Sequence, residues 1–154
     1  MNARGWAREY EAATAEFLEA VALLSSENLD RRAPGAPSAR QLVHHLTDAQ
    51  AQGYVRLVRL LAEPDGSLIA GYDDAAWAAA PLTGYDVLPI DDAVALFRAL
   101  RQRALDLLER LDDTDLLRYG EHSESGRYTL VTWLENYTQH PREHAAQLRA
   151  AIRS

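Results

Sequence analysis

Cysteine is absent from this chain of 154 residues. Without it there can be no disulfide framework, and no thiolate can bind a metal. Any metal must therefore be held by histidine or carboxylate ligands. The absence is also compatible with a reducing cytoplasm. All 16 basic residues are arginine, which we interpret as codon bias in a GC-rich genome.

The chain also lacks the marks of a nucleic-acid or membrane protein. Its formal net charge is −7, which disfavours the basic face that a nucleic-acid partner requires. No apolar run approaches the ~18 residues of a membrane span, and the start of the chain lacks the apolar region of a signal peptide. We therefore expect a cytoplasmic protein with neither nucleic acid nor membrane as a partner, built as one domain over residues 1–154.

Alternating β patterns of any length are missing, whereas helical periodicity is strong. Apolar residues recur at spacings of three and four in four segments, each with one buried stripe. The predicted helices span residues 6–24, 38–61, 90–111 and 128–153, and Ser38 is a suitable N-cap for the second.

The connections between these helices differ in character. Residues 64–89 mix aromatic and apolar side chains with Gly, Pro and Asp, so we predict an ordered crossover with a short helix near residues 73–79. Residues 112–127 are a polar loop. The pattern predicts an all-α four-helix bundle with a long ordered crossover between its second and third helices.

Histidine is scarce, with five in the chain, and its placement is informative. His140 and His144 are four residues apart and share one helix face. On the second helix, an advance of about 100° per residue places His45 at the edge of the buried stripe and His44 on the opposite face, towards solvent. Three boundary histidines on two helices could hold one metal ion and leave it open to water.

Other observations weigh against a metal. A single boundary histidine is more often a packing or capping residue, and the sequence after His140 lacks the glutamate of the zincin pattern. Pro141 removes a helical hydrogen bond and crowds the carbonyl of Tyr137. A resulting kink could spoil the histidine pair or aim both rings at one point, and the sequence leaves this open.

Polar side chains near the histidines are candidate partners for their second ring nitrogens, because ligating histidines usually have such a partner. The candidates are Asp48, Gln52, Gln139 and Gln147. Imidazole ligands suit zinc, nickel and iron alike, so the residues alone leave the metal undetermined.

Several short motifs occur in a specific order and at specific spacings along nearly the whole chain. They are QLVHHLTD at 41–48, Y-x-R at 54–56, I-x-x-Y-D at 69–73 with Trp77, HSE-x-G-x-YTL at 122–130, and Y-x-x-H-x-x-x-H-x-x-Q at 137–147. Together they resemble the YfiT-like branch of the DinB/YfiT superfamily.

The resemblance implies a four-helix bundle that binds a divalent metal, zinc or nickel, through His45, His140 and His144. It further implies a hydrolase or an enzyme that transfers a low-molecular-weight thiol, such as bacillithiol or mycothiol, to an electrophilic substrate, and it implies a homodimer. Arg56 is a candidate for steering an anionic substrate, although an ordinary ion pair would explain it equally well.

Two functions follow. The leading hypothesis is a metal-dependent enzyme in which the three-histidine site activates water or a thiol. The alternative is a non-catalytic bundle that binds metal or acts through dimerisation.

Overall fold

The computed structural model describes all 154 residues and is mostly helical. Four long helices form the bundle, and a short one lies in the crossover: α1 (Ala3–Val21), α2 (Ala39–Ala62), α3 (Asp74–Ala79), α4 (Asp91–Leu108) and α5 (Leu130–Ile152). The predicted four-helix bundle is confirmed. None of the helices has both the length and the apolarity needed to cross a membrane.

Side-chain caps define where the two histidine-bearing helices begin. Ser38 caps α2 in a reciprocal arrangement: its hydroxyl accepts from the Gln41 N–H, and the Gln41 side chain accepts from the Ser38 N–H. Thr129 caps α5 through the Thr132 N–H at 3.0 Å. Each cap satisfies N–H groups that have no partner inside the helix. Local hydrogen bonds therefore fix the residue at which each of the two helices begins.

The crossover from α2 to α4 is ordered and packs on the bundle, as predicted. Ile69 and Tyr85 are almost fully buried, and Asp73 caps α3 by accepting from the Ala76 N–H at 2.9 Å. Near the end of the crossover, the Arg40 guanidinium donates to the Leu88 carbonyl at 2.8 Å. The crossover therefore covers one side of α2.

A small three-stranded sheet lies outside the helices, in segments where the sequence has no alternating β pattern. β1 (Leu68–Ile69) pairs in parallel with β2 (Tyr119–His122), which pairs antiparallel with β3 (Gly126–Thr129). The strands are two to four residues long, too short for an alternating pattern to emerge. The sheet ties the crossover to the loop between α4 and α5.

Gly53 allows α2 and α5 to approach closely. A Cβ atom at this position would overlap the Tyr137 ring, and the Trp133 indole donates to the Gly53 carbonyl at 2.8 Å. Only glycine permits such an approach between an aromatic ring and a helix backbone. The two helices that carry the histidines are therefore held side by side.

A buried arginine joins all four long helices. Arg101 of α4 is 1% exposed. Its guanidinium donates to the Tyr10 and Tyr137 carbonyls at 2.8 and 2.7 Å, to the Thr14 hydroxyl at 2.7 Å, and to the Gln50 amide oxygen at 3.1 Å. It also lies 3.4 Å from the centre of the Tyr10 ring. Hydrogen bonds and a cation–π contact thus replace the carboxylate that usually accompanies a buried charge.

Arg101 also explains how α5 accommodates Pro141. Proline has no N–H, so the Tyr137 carbonyl one turn earlier loses its partner within the helix. The bond from Arg101 to that carbonyl replaces the missing interaction. The helix continues through Pro141 to Ile152.

We predict that Arg101→Met lowers the free energy of unfolding by about 3 kcal/mol, because it leaves several buried acceptors without a donor. Chemical denaturation followed by circular dichroism measures the change. Arg98→Met, at an exposed position of the same helix, is the matched control and should change stability by no more than about 0.5 kcal/mol. Equal effects of the two substitutions would contradict this role for Arg101.

Candidate metal centre

Three histidines from two helices converge at the boundary of the bundle. His45 comes from α2, and His140 and His144 come from α5. One ring nitrogen of each lies within 4.8 Å of the others, and the Nε2 atoms of His140 and His144 are 2.9 Å apart. Pro141 therefore leaves the i,i+4 pair intact.

Gln147 determines the orientation of His144. Its amide oxygen can only accept, so the His144 Nδ1–H donates to it at 2.8 Å. A neutral imidazole carries one N–H, and Nε2 of His144 is therefore the lone-pair atom that faces the cluster. The sequence-based assignment of Gln147 as a partner agrees with this contact.

Two of the other three candidate partners, Asp48 and Gln139, have different contacts. Asp48 accepts from the Tyr85 hydroxyl at 2.5 Å, and the Gln139 amide donates to Glu143 at 2.7 Å. Asp48 still acts on the cluster through its charge, since it and Asp74 oppose the effect of burial on the pKa of His45.

Burial keeps the three imidazoles neutral. Loss of hydration lowers the pKa of His45, His140 and His144. For His140 the pKa falls to about 3, because charge repulsion from the other two rings adds to the effect of burial. Neutral imidazole is the form that binds metal, so the cluster is in its binding-competent form at neutral pH.

The donor set fits a divalent metal. In a tetrahedral site with Zn–N bonds of about 2.0–2.1 Å, ligand nitrogens stand about 3.3 Å apart. Two of the nitrogens here are 2.9 Å apart and all three lie within 4.8 Å, so small ring movements would suffice. No fourth His, Asp or Glu belongs to the cluster, which leaves a position for water or substrate.

The two remaining histidines have structural roles. His44 was expected to face solvent, and that prediction is wrong: it is 9% exposed, its Nε2 lies 3.1 Å from the Leu88 carbonyl oxygen, and its ring stacks on Tyr85. The helical wheel could not anticipate the crossover that covers this face. His122 accepts N–H bonds from the turn between β2 and β3.

Two clefts open beside the cluster. The polar cleft, of about 390 Å³, reaches His140 and is lined by Arg56, Tyr72, Asp74 and Asn136 among others. The alanine-lined cleft, of about 640 Å³, reaches His45 and His144 and is lined by Ala75, Ala78, Ala79 and Tyr85 among others. Asp74 of α3 contributes to both, so reactants could approach from two sides.

Sequence reasoning did not assign site roles to the crossover residues Tyr72, Asp74 and Tyr85. Burial and the bond to Asp48 raise the pKa of Tyr85, which keeps its hydroxyl protonated. Burial and the Asp74 charge raise the pKa of Tyr72 to about 12. Tyr72 belongs to the I-x-x-Y-D segment at 69–73 that contributes to the family resemblance. Its position in the polar cleft, however, depends on the path of the crossover.

Comparison with known proteins agrees with this architecture. A protein of Oceanobacillus iheyensis named "Putative metal-dependent hydrolase" is 33% identical over 93% of this chain and 81% of its own. A protein of the same description from Bacillus mycoides is 30% identical over the same shares.

A solved structure is also similar. YfiT from Bacillus subtilis, described as "a probable metal-dependent hydrolase with an unusual four-helix bundle topology", matches 98% of this chain and 86% of its own with a TM-score of 0.85 and 27% identity. The family model of the DinB superfamily matches residues 9–148. The chain therefore belongs to the DinB superfamily.

Proposed function

We propose that this protein is a metal-dependent enzyme whose divalent ion is held by His45, His140 and His144. The proposal rests mainly on a cluster of three neutral imidazoles beside two clefts. Such a cluster would leave one coordination position of the metal open. The relatives named as metal-dependent hydrolases support the same reading. An all-nitrogen donor set is compatible with zinc or nickel.

The bound ion would supply Lewis acidity that lowers the pKa of a water or thiol at the open position. The protein contributes the rest. Gln147 holds the His144 ring so that Nε2 faces the cluster, and burial keeps the imidazoles neutral. The Tyr85 hydroxyl donates to Asp48 and so helps to hold the crossover over α2.

A thiol transferase fits the two clefts better than a hydrolase that needs one organic substrate. In such a transfer the sulfur of a low-molecular-weight thiol forms a bond to an electrophilic carbon, while the bond from that carbon to its leaving group breaks. The thiol proton passes to water. The polar cleft suits the thiol, and the alanine-lined cleft suits an apolar electrophile. The chain has no cysteine of its own, so the thiol must come from a small molecule, of which bacillithiol is one candidate.

We further propose that the chain acts as one domain over residues 1–154, in the cytoplasm and as a homodimer. The molecular mass of the dimer, measured by sedimentation velocity, would be twice the 17.2 kDa of the chain. A monomer in sedimentation velocity at micromolar concentration would contradict it.

We expect the substitutions His45→Ala, His140→Ala and His144→Ala each to remove bound metal. Elemental analysis of the purified proteins measures it as moles of metal per mole of chain. His44→Ala is the matched control, because His44 is adjacent to His45 but lies outside the cluster. If all three cluster variants kept the full metal content, the ligand assignment would be wrong.

Gln147→Ala should weaken metal binding by about 10- to 100-fold without abolishing it, since it removes the partner that orients His144. Competition with a chromophoric chelator measures the affinity. Gln139→Ala changes the same residue type on the same helix, where the amide contacts Glu143 instead. An equal loss in both variants would argue against orientation by Gln147.

Removal of the metal with a chelator should abolish turnover and cost little stability, because the core contains its own buried network around Arg101. Turnover is measured with several low-molecular-weight thiols against apolar electrophiles, and also with ester and amide substrates for hydrolysis. The melting temperature of the metal-free protein is measured in parallel. A large loss of melting temperature without turnover on any pair would favour the non-catalytic bundle.

A further inference from the structure

Arg56 is a cation without a charged partner in the polar cleft. It projects from α2 into the cleft that also contains His140. No carboxylate lies within 4.0 Å of its guanidinium, whereas Arg40 and Arg142 are paired with acids. The ordinary ion pair that could have explained Arg56 from the sequence is therefore absent.

The hydrogen-bonding capacity of Arg56 is only partly used. Its Nη2 donates to the Ala70 carbonyl at 3.1 Å, and its Nη1 reaches the Tyr137 hydroxyl at 3.5 Å. The buried Nε has no partner, although a guanidinium carries five N–H donors. The Tyr72 and Tyr128 rings, centred 5.9 and 6.0 Å away, hold the group in place without neutralising it.

Two acids share the polar cleft, but they are poorly placed to neutralise Arg56. Asp74 and Glu143 are exposed, and Glu143 already accepts a hydrogen bond from Gln139 at 2.7 Å. Water and salt screen exposed charges strongly and a half-buried cation less so. The half-buried side of the cleft therefore favours an anion.

We propose that Arg56 binds the carboxylate of a small thiol in the polar cleft and so places its sulfur at the histidine cluster. The inference rests on the proposed function and adds to it the residue that binds the charged end of the thiol. The planar fork of a guanidinium matches a carboxylate in shape and charge. A carboxylate there would also accept from the guanidinium N–H groups that the Ala70 and Tyr137 contacts leave unused.

The test compares two thiols that differ only in charge, 3-mercaptopropionate and 3-mercaptopropionamide. Calorimetry on the zinc-loaded protein gives both Kd values, and the thiolate-to-metal absorption band of the cobalt-substituted protein reports sulfur binding. The wild type should prefer the carboxylate by about 10- to 100-fold. Arg56→Met should reduce this preference to about one, and Arg56→Lys should keep part of it through charge alone.

Arg59→Met is the matched control, because Arg59 lies on the same helix, is exposed and is outside the polar cleft. It should leave the preference unchanged. If Arg56→Met fails to fold, Arg56→Gln takes its place, since glutamine keeps a polar N–H donor at this position without the charge. A preference that survives loss of the Arg56 charge, or is missing from the wild type, overturns the proposal.

Failure of the proposed function gives a different result. In that case neither thiol produces the absorption band in the cobalt protein. Succinate, which has carboxylates but no sulfur, then decides the role of Arg56. Binding of succinate to the wild type that is lost in Arg56→Gln supports the subsite, and absent or unchanged binding overturns it.

Discussion

The bond from the Arg101 guanidinium to the Tyr137 carbonyl is the interaction on which the rest of the structure depends. Pro141 deprives that carbonyl of its helical partner, and Arg101 replaces it at 2.7 Å. The same guanidinium contacts α1 and α2. One side chain thus satisfies a defect in α5 and joins the four long helices. Because the defect lies beside His140, the network also supports the part of α5 that presents two of the histidines.

The histidine cluster combines precise placement with limited exposure. Close approach at Gly53 places α2 beside α5, and burial lowers the pKa of each ring. A more exposed cluster would bind protons in competition with metal, whereas a more buried one would admit no substrate. The boundary of the bundle, with a cleft on either side, satisfies both requirements.

The crossover gives the site its chemical character. It contributes Tyr72 and Asp74 to the polar cleft and Tyr85 to the alanine-lined cleft, while the bundle contributes the histidines and Arg56. A scaffold of helices holds the three histidines in place, and a longer, irregular segment lines the two clefts beside them. This division is common where rigid elements support variable connections.

The sequence by itself determined the four helices, the Ser38 cap, the ordered crossover and the three histidines at the core boundary, because helical periodicity and capping are local. Arg101 also left a local signal: it lies on the apolar stripe, four residues after Phe97 and three before Ala104. Only the tertiary structure decided how Pro141 is accommodated, why His44 is buried and which crossover residues line the clefts. Those outcomes depend on contacts between distant segments, and the sheet joins strands too short to leave a pattern.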